Sequence, residues 1–567
     1  MKLNKLYVCL VAFLMLLFFE THSPGQNNYR PDKTIENLRA FRNHSATQSK
    51  SLAEQGGKCG LWLNFELMNQ WNNYSNIQKQ ELQKLLAPTT RQINRVIGHF
   101  RFYYDTTGVD AASMIDSNYN LVAGTAEQYV DSAGVYFNYA WTYEIDTLGY
   151  TLPPLDIDGT YHVVIYDLDP GLYGQTLWNP SSPLNGGTPV RYATYIEIDN
   201  NFYDLPRIAS RGIPAIKVTA AHEFHHAIQI GSYGLWGKDI YFYEITSTWM
   251  EDVVYDDVND YHQYLFNVPN SVQTSQFAEP KLRFTSQDRL IQYSRAIWAK
   301  YLENKFSRSI VKRTWEYMKQ ESSLPALDDA IREYSGQTKS FRDAFLEWSY
   351  WNANTGPTAD STQYYRTEGT KYPVMNFRPI VTFTPPSRAI NDSIQVLSSS
   401  YHPIVVNGNT MLSIISNLNI STPYDNSYHN FSYVLNQNGG DKKLANDIFV
   451  TINASDPQNW ASLENVPVQI SSILAFPNPL IAKNNKPLKF RLPFTAQSSG
   501  MISVFSSSMK GIFSNELPII SNQITLEQVM TWDAHDNVGN MLSTGVYFYV
   551  ITLDDKQYKG KFAVVRE

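Results

Sequence analysis

An α+β domain with a mixed sheet and helices, followed by all-β domains, is the fold class that the sequence predicts. Residues 162–166 and 192–199 are rich in strong β-formers, and the second run alternates apolar and polar side chains, so each predicts a strand. From about residue 373 onward, short β-rich runs separated by Asn, Ser, Pro and Gly favour β domains. Apolar spacing typical of helices occurs in four segments between them: 218–231, 241–252, 296–302 and 341–348.

The segment 218–231 is predicted to lie in a helix whose two ends are marked by the sequence. Pro214 suits a first helical turn, and Gly231 is expected to stop the helix. Its apolar stripe is formed by Ala220, Phe224, Ala227 and Ile228.

This helix carries a His-Glu-x-x-His pattern. His222 and His226 are four residues apart, so they lie on one face and can place two imidazole nitrogens on one metal ion. Glu223 borders that face and is suited to activate a water molecule rather than to bind the metal. His225 points away from the face, and we interpret it as structural. A merely His-rich surface helix is the alternative, but it does not account for the spacing of His222 and His226.

A third metal ligand is offered by residues 241–252, which predict a second helix carrying carboxylates. Glu244 follows His226 at a separation that lets one helix end, a loop turn back and the next helix begin. We predict Glu244 as the ligand, with Glu251 or Asp252 accepting the free N–H groups of the histidines. A solvated acidic helix is the alternative interpretation.

These residues resemble the gluzincin class of zinc peptidases, in which His-Glu-x-x-His is followed by a glutamate on the next helix. The chain departs from aminopeptidase-like gluzincins at Tyr243, Ile245 and Thr246, and its spacer before Glu244 is one residue shorter. By the same resemblance, Tyr293 takes the place of a tyrosine that stabilises the oxyanion. A tyrosine that packs at a helix start is the alternative.

A closer resemblance, to a family of secreted bacterial metalloproteases, extends from about residue 98 to residue 356. It rests on the runs HFRFYYDTTG at 99–108, TAAHEF at 219–224 and TWMEDVVYDD at 248–257. The resemblance implies a zincin-like metallopeptidase domain at residues 96–372, Zn²⁺ as cofactor and a protein or peptide as substrate. It does not identify that substrate.

Two further expectations concern this domain. In zinc peptidases a strand such as 192–199 forms the rim of the cleft, where an extended peptide can add as another strand. An additional Ca²⁺ is a second hypothesis, because hard carboxylates suit that ion, although their spacing here matches no calcium loop. The carboxylates concerned are Asp252, Asp256, Asp257 and Asp260.

Composition and the N-terminus indicate an exported protein. The net charge is −7 with no basic block, which argues against nucleic acid as a partner. Residues 1–25 read as a signal peptide, with a basic start and an apolar stretch from Leu6 to Phe19. That stretch is too short to favour a membrane span, and no other segment qualifies, so no transmembrane span is predicted in the mature chain.

Cys59 is the one cysteine expected in the mature chain, because Cys9 lies in the signal peptide. Residues 26–95 are interpreted as an N-terminal pro-region. The Cys59 thiolate in this region could occupy the open metal position and keep a zymogen latent. Such an arrangement resembles the cysteine switch of matrix metalloproteases, with which this chain shares only the Cys-Gly pair. A simple buried thiol is the alternative.

The C-terminal third is predicted to contain no catalytic group. Residues 373–470 indicate a β-sandwich. Residues 471–567 resemble the Ig-like sorting domain of type IX secretion cargo, through Phe476-Pro-Asn-Pro479 and a terminal Gly-Lys-x-x-Val-Val-Arg. This resemblance implies the type IX machinery as a partner and a secreted or cell-surface location reached through the periplasm. A structural or carbohydrate-contacting Ig module is the alternative.

Three functions are consistent with these patterns. A secreted zinc endopeptidase with Glu223 as general base is the one that we favour. A zinc exopeptidase would need a group that anchors the substrate's terminal amine, and no Gly-x-Met-Glu-Asn-like motif is present. A cell-surface adhesin built on a zincin-like scaffold would not be expected to keep His222, Glu223, His226 and Glu244 intact.

Overall fold

A computed structural model gives the fold of the protein. It describes residues 31–42, 57–168, 170–266, 273–360, 362–366, 368–382, 387–406, 409–436, 443–445, 448–453, 462–465, 473–481, 487–492, 497–522, 527–553 and 556–566. The fold is mixed α+β with several sheets, as the sequence predicts. The predicted signal peptide lies outside the described residues. Within them, every helix is too short or too polar to cross a membrane.

A five-stranded mixed sheet forms the framework of the domain that contains the His-Glu-x-x-His helix. Its strand order is β1-β2-β5-β7-β6, with β2, β5 and β7 mutually parallel and β1 and β6 antiparallel at the two edges. A two-stranded ribbon, β3 and β4, is separate from it. The bounds are β1 Ile93–Ile97, β2 Phe100–Tyr104, β3 Met114–Ile115, β4 Leu121–Val122, β5 Tyr161–Tyr166, β6 Gly174–Pro183 and β7 Tyr192–Asp199.

This sheet confirms two predicted strands and corrects one expectation. The strands predicted at 162–166 and 192–199 are β5 and β7. β7 is paired on both sides, however, so it cannot accept another strand. β6 is the edge strand, and an added peptide would have to pair with it.

Eleven α-helices are present in the described residues. Four lie before or beside the sheet, and seven belong to the region from Ile213 onward. Their bounds are α1 Pro31–Arg42, α2 Leu61–Asn69, α3 Asn76–Leu85, α4 Ala126–Trp141, α5 Ile213–Ile228, α6 Ile240–Val254, α7 Ile291–Ser294, α8 Ala296–Lys305, α9 Ser309–Tyr317, α10 Ser323–Tyr334 and α11 Phe341–Ala353.

α5 is almost completely buried between the sheet and the other helices, and it packs closely on β6. A Cβ at Gly174 would lie 2.9 Å from the carbonyl oxygen of Glu197 and 3.0 Å from Cγ of Glu223. The absence of a side chain at Gly174 therefore allows β6 to approach the helix at the position of Glu223.

The end of α5 differs from the prediction. The helix continues beyond Ile228 as a π-turn, Gln229–Tyr233, and ends at Gly234, whose φ is +92°. Gly231 therefore lies inside the turn and does not stop the helix. A Cβ at Gly231 would lie 2.5 Å from Cδ of Pro154, so this glycine is needed for packing.

The N-terminal helices pack directly on the sheet. Side chains of α1, α2 and α3 form one buried cluster with Val164 and Leu177 of the sheet. β1 begins at Ile93, so the boundary predicted at residue 96 falls within the first strand. The described helices of the predicted pro-region therefore pack against the sheet of the following domain.

Trp315 of α9 packs against the start of α6, the helix that carries Glu244. Its side chain is fully buried, with ring centroids of Tyr243 at 4.9 Å and Phe242 at 5.5 Å. We expect Trp315→Ala to lower the stability by about 3–5 kcal/mol, because truncation leaves a cavity in a packed interior. Thermal denaturation checks this, with the exposed Val135→Ala as control. Equal melting temperatures for the two variants would contradict it.

All regular elements described after residue 372 are strands, as predicted. A first set forms two sheets, ordered β13-β14-β11-β10-β8 and β15-β12-β9, and the second set forms one eight-stranded sheet with its own apolar core. The first set is β8 Val381–Thr382, β9 Ser387–Ile394, β10 Ser398–Val406, β11 Asn409–Asn417, β12 His429–Asn436, β13 Lys443–Ala445, β14 Ile448–Asn453 and β15 Ser462–Asn465. The second set is β16 Leu474–Phe476, β17 Leu480–Ile481, β18 Leu488–Leu492, β19 Ser499–Ser506, β20 Gly511–Asn522, β21 Glu527–Trp532, β22 Gly545–Leu553 and β23 Lys556–Val565.

Candidate metal centre

Four buried side chains converge between α5, α6 and the segment before α2. Ligand atoms of Cys59, His222, His226 and Glu244 all lie within 4.8 Å of one another. Nε2 of His222 is 3.0 Å from Nε2 of His226, and Oε2 of Glu244 is 3.3 Å and 3.8 Å from these two nitrogens. The three residues predicted as metal ligands are therefore brought together, and Cys59 joins them.

The other nitrogen of each imidazole is held by a hydrogen-bond acceptor. Nδ1 of His222 lies 2.7 Å from Oε1 of Glu251, and Nδ1 of His226 lies 2.7 Å from Oε1 of Gln229. A carboxylate oxygen and an amide oxygen accept, so each Nδ1 carries the proton. Each neutral ring then presents the lone pair of Nε2 to the centre of the cluster.

Gln229 is fixed in this orientation by its own amide group. Its Nε2 donates to the carbonyl oxygen of Tyr243 at 3.2 Å and to the hydroxyl groups of Thr246 and Ser247 at 3.0 and 3.1 Å. Oε1 must therefore face His226. Gln229 is the first residue of the π-turn that follows α5.

The centre of the cluster suits a cation. Nε2 of His222 and Nε2 of His226 lie only 3.0 Å apart, and the buried Oε2 of Glu244 lies within 4 Å of both nitrogens. Burial alone would lower the pKa of His222, but the carboxylates of Glu244 and Glu251 outweigh it and raise that pKa to about 9, so without a cation the ring holds a proton that a metal would replace. Two imidazole nitrogens, one carboxylate oxygen and one sulfur are donors that Zn²⁺ accepts, so these residues fit this ion.

Glu223 lies beside this cluster without belonging to it. Its Oε2 accepts a hydrogen bond from the hydroxyl group of Thr176 at 2.8 Å, and its carboxylate contacts the Cys59 thiol. Burial raises the pKa of the Glu223 carboxyl above its usual value. A carboxylate with a raised pKa next to a metal position is suited to exchange protons.

Glu251 connects His222 to a buried lysine. Nζ of Lys58 donates to the Glu251 carboxylate at 2.5 Å and to Oδ2 of Asp260 at 3.2 Å, and all three side chains are almost fully buried. Burial alone would lower the pKa of Lys58, but these two carboxylates outweigh it and raise the pKa. Lys58 therefore neutralises the group that orients His222.

Asp252 is not brought to the histidines. Its Oδ2 pairs with Nζ of Lys300, which also lies 2.9 Å from Glu368. Adjacent residues on a helix point about 100° apart, so Glu251 and Asp252 cannot share one face. Only Glu251 takes the predicted position next to an imidazole.

The four aspartates considered for calcium do not converge. Asp260 pairs with Lys58, and Asp257 pairs with Lys217 at 2.8 Å. Asp252 and Asp256 do lie near Glu368, but Lys300 already supplies positive charge there. The calcium hypothesis therefore stays a prediction, and of the four aspartates only Asp252 and Asp256 lie close enough together, with Glu368, to share one ion.

Tyr293 lies at the rim of the cluster. Its ring centroid is 6.5 Å from that of His222 and 4.9 Å from that of Tyr264, and its side chain is buried. Burial, followed by the nearby Glu244 and Cys59, raises the pKa of the phenol, so it stays protonated and able to donate. Its position is compatible with the predicted role and also with packing.

His225 takes the structural place expected of it. Its Nδ1 lies 2.8 Å from Oε2 of Glu144, and both side chains are fully buried on the far side of α5. Burial lowers the pKa of His225 and raises that of Glu144, so both partners tend toward their neutral forms.

Three residues of this site were missed by sequence reasoning. Gln229 had a local signal, because it follows His226 by three residues on the same helical face. Thr176 and Lys58 had none, since their contacts depend on how β6 and the N-terminal segment pack against α5.

No protein-family model matches the chain, and no curated protein matches it. Among solved structures, dimeric latent PorU from Porphyromonas gingivalis matches with 13% identity over 28% of this chain and 12% of its own, at a TM-score of 0.16. PorZ, an essential bacterial surface component of the type-IX secretion system of the same organism, matches with 16% identity over 33% of this chain and 25% of its own, at a TM-score of 0.14. Both matches span a small part of this chain and of the matched protein.

Proposed function

We propose that the protein is a secreted zinc-dependent endopeptidase of the gluzincin type, with His222, His226 and Glu244 as ligands and Glu223 as general base. One observation carries the proposal: the Nε2 atoms of two histidines and a buried carboxylate oxygen of Glu244 face one point, and Glu223 lies beside it. A zincin-like domain within residues 96–372 belongs to the same proposal.

When bound, zinc supplies a Lewis acid that polarises the scissile carbonyl and lowers the pKa of water to about 7. Glu223 takes the proton from the attacking water and delivers it to the leaving amine. The Thr176 hydroxyl group holds the carboxylate of Glu223, and Glu251 and Gln229 keep both imidazoles in the tautomer that faces the metal. The outer edge of β6, an edge strand of the sheet, is suited to bind the substrate as an added strand.

Casein digestion tests the proposal. The full chain is loaded with zinc and treated with an organomercurial reagent that modifies the Cys59 thiol. It should then produce internal cleavage products detectable by mass spectrometry. A zinc chelator should abolish cleavage, and added zinc should restore it. Cleavage that resists the chelator, or release of single terminal residues only, would contradict a zinc endopeptidase.

Tyr293 is proposed to donate its hydroxyl proton to the oxyanion that forms on the scissile carbonyl. We expect Tyr293→Phe to lower kcat by about 10²–10³-fold with zinc still bound, since removing one such donor has this effect. The buried Tyr241→Phe serves as control, because Tyr241 bonds to Ser323 away from the cluster. Unchanged kcat in Tyr293→Phe would assign the residue to packing.

Residues 471–567 are proposed to be an Ig-like sorting domain that brings the chain to the cell surface through type IX secretion. In a host with this machinery, deletion of 471–567 should leave the protein in the periplasm. Secretion of the shortened chain would contradict the assignment.

A further inference from the structure

The segment 57–60 lies directly against the candidate metal centre. Cys59 is fully buried, and its sulfur completes a set of four ligand atoms with His222, His226 and Glu244. In zinc proteins a closed set of four protein ligands is typical of structural sites, whereas a catalytic site keeps one position open. With Cys59 in this place, no position remains for a water molecule.

The backbone of this segment pairs with the edge of β6. The carbonyl oxygen of Lys58 accepts from the backbone N–H of Tyr173 at 2.8 Å, and the N–H of Gly60 donates to the carbonyl oxygen of Gly174 at 3.1 Å. Cys59 and Gly174 form a parallel β-bridge. The segment therefore takes the edge where a substrate strand would have to add.

Lys58 fixes the segment on the side opposite to the sheet. Its ammonium group is paired with Glu251 and Asp260 and lies 5.4 Å and 5.5 Å from the ring centroids of Tyr173 and Tyr264. A buried charge without partners is costly, so the two carboxylates specify a basic residue next to Cys59. This contact is independent of the sulfur.

The glycines on either side allow the close approach. Gly57 has a φ of +70°, and a Cβ there would lie 2.5 Å from Cε2 of Tyr293. A Cβ at Gly60 would lie 2.4 Å from Oε1 of Gln175. Gly57 and Gly60 thus let the backbone approach closely. Lys58 supplies the charge contact and Cys59 the thiol of the same segment.

We propose that Cys59 is the fourth metal ligand of a latent form, and that residues 57–60 are an internal inhibitor bound in the substrate cleft. The inference rests on the proposed function and names the regulation of the same site. On binding, the thiol releases its proton to solvent and a sulfur–metal bond forms. On activation that bond breaks, the thiolate can take up a proton again, and both the fourth position and the edge of β6 become accessible.

Cobalt substitution tests the ligand assignment without any activity assay. Full-length chain loaded with Co²⁺ should show the sulfur-to-cobalt charge-transfer absorption of a thiolate ligand. Cys59→Ala should still bind one Co²⁺ but lose this band. Cobalt bound to wild type without the band would overturn the inference and leave the proposed function standing, whereas failure of wild type to bind cobalt would overturn both.

Casein hydrolysis by the zinc-loaded full-length chains tests latency. We expect at least a tenfold higher rate for Cys59→Ala than for wild type. Lys84→Met, at an exposed lysine of α3, serves as a control and should stay latent. Equal activity of wild type and Cys59→Ala would overturn the inhibitor role. If Cys59→Ala binds zinc and neither it nor the reagent-treated wild type hydrolyses casein, the proposed function itself is overturned.

Discussion

Glu223→Gln is expected to lower peptidase activity by roughly 10²–10⁴-fold while zinc stays bound. The amide has nearly the shape of the carboxylate and can still accept the hydrogen bond from Thr176, so α5 and its histidines keep their positions. It cannot take a proton from water, however. The loss corresponds to roughly 3–5 kcal/mol in the activation barrier.

The measurement compares kcat/KM on a casein-derived peptide with the zinc content of the same preparation after treatment with the thiol reagent. Glu516→Gln, an exposed position in the C-terminal sheet, controls for the substitution itself. Full activity of Glu223→Gln would remove this residue from the chemistry. Loss of zinc together with activity would show that it acts on the site's structure instead.

His222→Ala is expected to lose both zinc and activity. It removes one of two imidazole donors and leaves the Glu251 carboxylate, already paired with Lys58, without its second partner. Loss of an outer partner of a metal-binding histidine typically weakens metal affinity by about 10–100-fold. We therefore expect about this effect for Glu251→Gln and a larger one for His222→Ala.

Competition with a chromophoric zinc chelator gives the affinities. His535→Ala, at a half-exposed histidine of the C-terminal region, is the matched control and should bind zinc as wild type does. Glu244→Ala should resemble His222→Ala, because Glu244 contributes the third protein ligand. Wild-type zinc affinity in either variant would contradict the proposed ligand set.

Much of the candidate site could be predicted from local sequence, because a helix fixes which residues share a face. The four-residue spacing of His222 and His226 needed only the regular geometry of α5. Glu251 and Asp252 show the limit of this reasoning. Both were candidates to orient the histidines, and only the rotation of α6 decides that Glu251 faces His222 and Asp252 faces Lys300.

Contacts between distant segments could not be predicted in the same way. The order of strands in the sheet decides that β6, not β7, is an edge strand, and the alternation of side chains within 192–199 carries no information about that order. Cys59 could be singled out as the only cysteine of the mature chain, but its position next to His222 depends on the packing of α2 and β6. The π-turn that places Gln229 also departs from the regular helix that sequence patterns assume.

The most direct test of a zinc-dependent peptidase is a zinc titration of the metal-stripped chain, treated with thiol reagent and assayed for casein hydrolysis at each step. We predict no hydrolysis without zinc, a linear rise with added zinc, and saturation at one zinc per chain, with no rise in His222→Ala. Hydrolysis by the stripped chain, or a rise in His222→Ala equal to that of wild type, would contradict the account.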